Sequence, residues 1–315
     1  MEEAAGLARL LVLAVIFVNG WTDAPNAIAT AVGSGALSFR RGVALAAVCN
    51  FAGAALACLC FPAVADTVGE LVSFAQPHSG VIALNAALLA IVLWAVAAWR
   101  FGLPTSESHA LLAGLSGGAL ALGGGLAQLN AGAWIRALAG LGLSLPAGAL
   151  AGRILRRALE GRIRRPDRGQ RWAAALTALL HGAQDGQKFL ALLLLIHGFG
   201  TDGGPSRLGL ALLTAGVMAL GTALGGKPIV EKVGTELAQL SPTEGLAADL
   251  GAGAVLLACS ALGLPVSTTH AKVAAVCGAG RGASRSVMGQ MAGAWILTFP
   301  ACGGIAFLLT RIMIG

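Results

Sequence analysis

Two aspartates stand inside otherwise apolar stretches: Asp23 in IFVNGWTDAPNAIATAV and Asp185 in ALTALLHGAQDGQKFLALLLL. A carboxylate held in hydrocarbon is costly unless it faces a partner or a polar cavity. Its expected chemistry there is coordination of a cation or a proton. Asn19, Thr22 and Asn26 surround the first aspartate, and His181, Gln184 and Lys188 surround the second. Asp23 and Asn26 are three apart and share a helix face. Gly20 and Pro25, and Gly182 and Gly186, predict weakened helix at both places. Carbonyls freed there would join Asp23, Asn26 and Asp185 as oxygen ligands for Na+, with Asn19, Thr22 and Gln184 in support. The plain alternative for the second site is a structural Lys188–Asp185 ion pair.

A second pair of motifs suits the opposite charge. GLPTSESHA at 102–110 and GLPVSTTHA at 263–271 each place Pro and hydroxyl residues where a helix would begin. Pro fits the first helical turn, whose backbone N–H groups lack intrahelical acceptors. A half-helix N-terminus of this kind, with its positive dipole end, binds anions. Thr105, Ser106 and Ser108 form one hydroxyl cluster, and Ser267, Thr268 and Thr269 the other. Two ordinary N-caps are the alternative. His109 and His270 match in position, as a proton relay or as hydrogen-bonded structural residues. Glu107 and Lys272 have no charged counterpart in the other motif; they would pair with each other or tune the site.

The elements that must carry these residues are membrane helices. Of 315 residues, 57% are apolar and only 11% charged, and the mean hydropathy is +0.80. A soluble domain carries roughly 25% charged residues. An ordinary soluble enzyme, a disordered chain and a nucleic-acid binder are therefore excluded. Glycine is abundant at 46 residues, which favours close helix contacts and helix breaks. The six cysteines lie in apolar stretches and read as small buried hydrophobes. The first apolar run follows the acidic start MEEAAG and reads as a retained helix.

About ten transmembrane or half-membrane segments fall near 5–37, 42–65, 80–100, 103–125, 131–152, 172–200, 206–226, 245–263, 264–280 and 287–313. Both chemical motifs recur, at offsets of 161 and 162 residues, in the same order. That predicts an all-α membrane protein built as two repeats with broken helices: 1–152 and 172–315, joined by a basic linker at 153–171. The linker holds eight arginines. Placing it in the cytoplasm puts fifteen of the 21 Lys and Arg on that side, as the positive-inside rule requires, with both termini outside. Five crossings per half inverts the second repeat. The absence of basic residues at Asp202–Gly203, opposite Arg40–Arg41, fits that inversion. Inverted repeats with polar broken helices characterise secondary transporters, whose substrate binds between the repeats.

At these residues the sequence resembles the inorganic phosphate transporter (PiT-type) family. That family repeats an Asn-Asp motif followed by Asn in the first half and Lys in the second, here NGWTDAPNA and HGAQDGQKF. Its Pro-Val-Ser-Thr-Thr-His motif appears as PVSTTH at 265–270 and as PTSESH at 104–109. The segment 36–54 also fits, so the likeness covers almost the whole chain. It departs at Thr22, Gln184 and Asn50, where the family carries Asn, Asn and often Glu. The resemblance implies symport of inorganic phosphate with Na+ or H+ by alternating access across the cytoplasmic membrane. No cofactor is implied beyond the coupling ion. It also implies that Asn26 and Lys188 join the hydroxyl clusters at the phosphate. The partners are phosphate and the lipid bilayer, with no nucleic acid, and a homodimer is compatible with the sequence. The rivals are a sulfate or other oxyanion permease on the same scaffold, a passive anion channel, and an intramembrane serine hydrolase using Ser116 with His109 or His270.

Overall fold

In the computed structural model, which describes residues 2–198 and 206–315, the chain is a bundle of helices, with no strand among the described residues. The first half runs α1 (Glu2–Thr22), α2 (Asn26–Gly33), α3 (Phe39–Cys60), α4 (Ala63–Gly69), α5 (Pro77–Arg100), α6 (Glu107–Ala121) and α7 (Ala131–Leu159). The second runs α8 (Pro166–His197), α9 (Arg207–Leu224), α10 (Lys227–Glu231), α11 (Pro242–Ala261), α12 (Thr268–Ala279) and α13 (Arg285–Ile314). Shifted by 161 or 162 residues, α1 and α2 fall on α8, α3 on α9, α4 on α10, and α5, α6 and α7 on α11, α12 and α13.

Seven helical stretches among the described residues are long and apolar enough to cross a membrane: Glu2–Gly33, Phe39–Cys60, Pro77–Arg100, Ala131–Leu159, Arg207–Leu224, Pro242–Ala261 and Arg285–Ile314. The 32-residue α8 has the length as well, but carries Asp185 and Lys188 at its centre. The fourth and ninth expected segments are the half-membrane ones. At a rise of ~1.5 Å per residue, the 12 residues of α12 span about 18 Å, short of the ~30 Å hydrocarbon core. α6, with 15 residues, is also short. Each is a half-helix entered through an extended Gly-Leu-Pro segment.

The half-helices interlock the two repeats. α6 lies beside and parallel to α13: the Trp295 Nε1–H donates to the Pro104 carbonyl at 3.0 Å, and Arg311 donates to the Ala121 carbonyl at 3.3 Å. α12 lies beside and parallel to α7, with Gly140 against Pro265 and Gly278 against Ala149. The same exchange joins α3 to α8 and α1 to α9. Gly53 and Gly182 bring α3 and α8 into backbone contact, since a Cβ on either would collide with the other helix's main chain.

Two expectations need correction. The helix break predicted at both aspartates occurs only at the first. Between α1 and α2, the Asp23 and Ala24 N–H groups both turn to the Asn19 carbonyl, at 2.9 and 3.2 Å. Pro25 has no N–H to offer the Trp21 carbonyl, so the ladder fails there. The repeat equivalent of Pro25 is Gln187, and α8 runs unbroken through Asp185. Gly182 and Gly186 serve instead as contact points for Asn50 and Ala54 of α3. The basic stretch 153–171 is likewise mostly helix end: α7 continues to Leu159 and α8 begins at Pro166, leaving 160–165 between them. The Asp202–Gly203 segment lies outside the described residues.

Candidate functional site

The N-terminal ends of α6 and α12 meet head to head, and the break between α1 and α2 and the middle of α8 flank them. Ser106 and Ser267 are the N-caps. Their hydroxyls accept the backbone N–H of His109 at 3.3 Å and of His270 at 3.1 Å. For these two serines the plain capping role holds. The next residues, Glu107 and Ser108, and Thr268 and Thr269, have N–H groups with no acceptor inside their helices. All four side chains are buried.

The hydroxyls beyond the caps reach across to the other repeat. Thr269 Oγ1 donates to Asp23 Oδ1 at 2.5 Å, and Thr268 Oγ1 to Asp23 Oδ2 at 3.2 Å. Asn26 Nδ2 donates to Asp23 Oδ1 at 2.8 Å and contacts Thr269 Oγ1 at 3.3 Å. The related triplet is built from Asp185, Lys188 and Ser108. Lys188 Nζ donates to Asp185 Oδ1 at 2.6 Å and to Ser108 Oγ at 2.8 Å. Its third bond goes to the Val266 carbonyl at 2.7 Å. The correspondence extends one layer further. Thr269 Oγ1 reaches the Thr105 carbonyl at 3.0 Å, and Ser108 Oγ reaches the Val266 carbonyl, its repeat equivalent, at 3.0 Å. Thr105 thus takes part through its backbone.

The two triplets differ in charge. Asp185 has a fixed counter-ion in Lys188, with Asn19 Nδ2 at 3.1 Å and His181 Nε2 at 3.5 Å. Among the described residues, Asp23 faces only neutral hydroxyl and amide donors within hydrogen-bonding distance. Ligand atoms of Asp23, His181 and Asp185 lie within 4.8 Å of one another. Around them the Asn19 Oδ1, Asn26 Oδ1 and Gln184 Oε1 atoms are buried with no donor among the described residues. Two carboxylates and the unpaired oxygens of Asn19 and Asn26, whose amide nitrogens bond them, are groups of the type that hard cations select, and His181 adds a nitrogen beside them. Gln184 is held by its other end, Nε2 donating to the Leu264 carbonyl at 3.1 Å. Thr22 donates to the Val18 carbonyl at 2.8 Å and lies 3.4 Å from Glu107 Oε1.

His109 and His270 stack edge to face with centroids 4.7 Å apart, and pack on Phe299 and Trp295. They support the meeting point of the half-helices from behind. Glu107 and Lys272 do not pair with each other: Glu107 turns to the site, and Lys272 to Asp249 of α11. Asp249 and Thr30 are the participants that the motif reading left out. Asp249 carried the available signal, an acid inside the apolar segment 245–263. Ser116 Oγ has no hydrogen-bond partner among the described residues, so it has no histidine base.

A family model described as the phosphate transporter family matches residues 19–173 and 164–306. A protein of Bacillus subtilis named "Probable low-affinity inorganic phosphate transporter" is 32% identical, covering 98% of this chain and 97% of its own. A Rhizobium meliloti protein of the same name is also 32% identical, over 96% of this chain and 95% of its own. Among solved structures, one named "The sodium-dependent phosphate transporter" superposes with a TM-score of 0.85. It covers 99% of both chains at 21% identity.

Proposed function

The chain belongs to the phosphate transporter family, and from that premise we propose that it is a cation-coupled symporter of inorganic phosphate working by alternating access. One observation carries the reading. Two buried carboxylates with an orphaned oxygen donor set lie against two opposed half-helix N-termini. A phosphate placed among the N–H groups of Glu107, Ser108, Thr268 and Thr269 would meet Asp23 and Asp185 at close range. In a site with no bulk water that repulsion is large. Lys188 already offsets Asp185, so of the two aspartates Asp23 is the one that requires a cation. Na+ bound by Asp23 with the Asn19, Asn26 and Gln184 oxygens removes the repulsion, and the anion then binds. Affinity for each ligand depends on the other, which is the thermodynamic content of coupling. The oxygen-rich donor set around Asp23 favours Na+ over H+, and the structural neighbour is itself named as sodium-dependent.

Glu107 bears on the choice of oxyanion. It sits at the first position of α6 and faces the site. A carboxylate there accepts a hydrogen bond from the P–O–H of a protonated phosphate. Sulfate carries no such proton and would only be repelled. The two repeats, with boundaries near 152 and 172, move against each other about this site, and the basic linker lies in the cytoplasm with both termini outside.

The test is uptake of radiolabelled phosphate by proteoliposomes under an imposed Na+ gradient, then under a pH gradient, with unlabelled sulfate as competitor. Uptake that requires the Na+ gradient and ignores sulfate is expected. Uptake blocked by sulfate, or independent of both gradients, would overturn the reading.

A further inference from the structure

The repeat symmetry that governs the site breaks down one layer away. Lys272 of α12 forms an ion pair with Asp249 of α11 and donates to Thr30 Oγ1 at 3.0 Å and to the Ala27 carbonyl at 3.1 Å. Thr30 Oγ1 donates in turn to Asp249 Oδ1 at 2.5 Å. Lys272, Asp249 and Thr30 are all within 2% of full burial. Their repeat equivalents are Leu111, Leu88 and Leu192, all buried in one apolar cluster.

The polar set continues outward. Gln170 in the first turns of α8 is fully buried beside Asp249. Its Nε2 and Asp249 Oδ2 are each buried without a hydrogen-bond partner among the described residues. The Gln170 Oε1 accepts from Ser34 at 2.7 Å, and Ser34 is half exposed. The equivalents of Gln170 and Ser34 are Ala8 and Ile196, in the same apolar cluster as the leucines. The inverted repeat exchanges the two membrane faces. A polar file therefore runs from the site to the face bearing the basic linker, while the five equivalent positions toward the opposite face are apolar, and the polar side chain there is Asn85, which donates to the Ala4 carbonyl at 2.9 Å.

We infer that the Lys272–Asp249–Thr30 cluster closes the anion's path between the site and the linker face, and that its parting is a step of transport. The inference rests on the phosphate reading. Ala27 follows Asn26 directly and Lys272 lies one turn beyond Thr269, so the cluster ties both arms of the Asp23 triplet to α11. When α2, α11 and α12 separate there, water reaches two charges and a hydroxyl rather than leucines, and the freed ammonium offers the departing oxyanion a counter-charge.

The decisive variant is Lys272→Leu combined with Asp249→Leu, which gives the linker face the side chains that the other face already holds. Replacing a buried ion pair whole by apolar residues of similar volume is often neutral or stabilising. A merely structural pair would therefore leave transport intact. Radiolabelled inorganic phosphate is the probe for both equilibrium binding to the purified full chain and uptake into proteoliposomes. The path predicts phosphate binding within about twofold of wild type, with maximal uptake reduced at least tenfold. Binding and uptake both at wild-type level would overturn it. If the double variant loses binding and melts earlier, Thr30→Val and Gln170→Leu decide. Slower uptake at unchanged binding supports the path, and wild-type uptake in both overturns it. A wild-type protein that bound no phosphate would sink the phosphate reading itself, and the path with it.

Discussion

At the scale of single residues, the site divides its hydroxyls between two tasks that sequence cannot separate. Ser106 and Ser267 cap their helices, while Ser108, Thr268 and Thr269 reach the opposite repeat. Ser267→Ala should cost about 1 kcal/mol of stability as a lost N-cap, lowering the melting temperature and leaving phosphate affinity nearly unchanged. Thr269→Val should do the reverse, weakening phosphate and Na+ binding by about tenfold with little change in melting. Asp23→Asn removes the aspartate that lacks a fixed counter-ion. A loss of about 2 kcal/mol, or roughly 30-fold in Na+ affinity, follows from losing a charged acceptor, and a Na+ titration of phosphate uptake reads it. Lys188→Asn makes the second triplet a copy of the first. Asp185 then lacks its tethered cation, so the Na+ dependence of uptake should become steeper. The aspartates and the GLP hydroxyls stood out in the sequence because polar groups are rare in apolar stretches and these ones recur. Asp249 stood out less because its repeat equivalent is Leu88, and its pairing with Lys272 needs two helices brought together.

At the scale of elements, the informative contrast lies between the broken α1–α2 and the unbroken α8. Glycines and polar residues occur in both, but only Pro25 removes a backbone donor, and Gln187 keeps the ladder intact on the other side. Pro25→Ala restores an N–H at the break. It is expected to raise the melting temperature while reducing coupled uptake, because a continuous helix withdraws the Trp21 carbonyl and swings Asp23 off the axis of Thr269. Unchanged uptake in that variant would argue against a role for the break. The glycines of α8 have a packing role instead. Gly182→Val forces α8 away from the Asn50 backbone and should cost about 1–3 kcal/mol as an overpacked contact. Hydropathy located the long helices well. It overstated α6 and α12, because the extended Gly-Leu-Pro entries are as apolar as helix and only the Pro and hydroxyl pattern marks where helix begins.

At the scale of the whole molecule, each half-helix packs on the last long helix of the other repeat, so neither repeat can complete its own site. That interlock was legible only as a duplication, since an offset between motifs says nothing of which repeat a half-helix leans on. If the basic linker lies in the cytoplasm, as proposed, tags at both ends of the chain are accessible from outside sealed, right-side-out vesicles and the linker is not. The opposite pattern would reverse the orientation without touching the site. The central claim is that anion and cation bind interdependently at this interlock. Its most direct test is the equilibrium affinity of the purified protein for phosphate, measured at fixed pH with and without saturating Na+. At least tenfold tighter binding with Na+ is expected, together with an equal tightening of Na+ by phosphate, as linkage demands. A phosphate affinity that ignores Na+ would contradict the account.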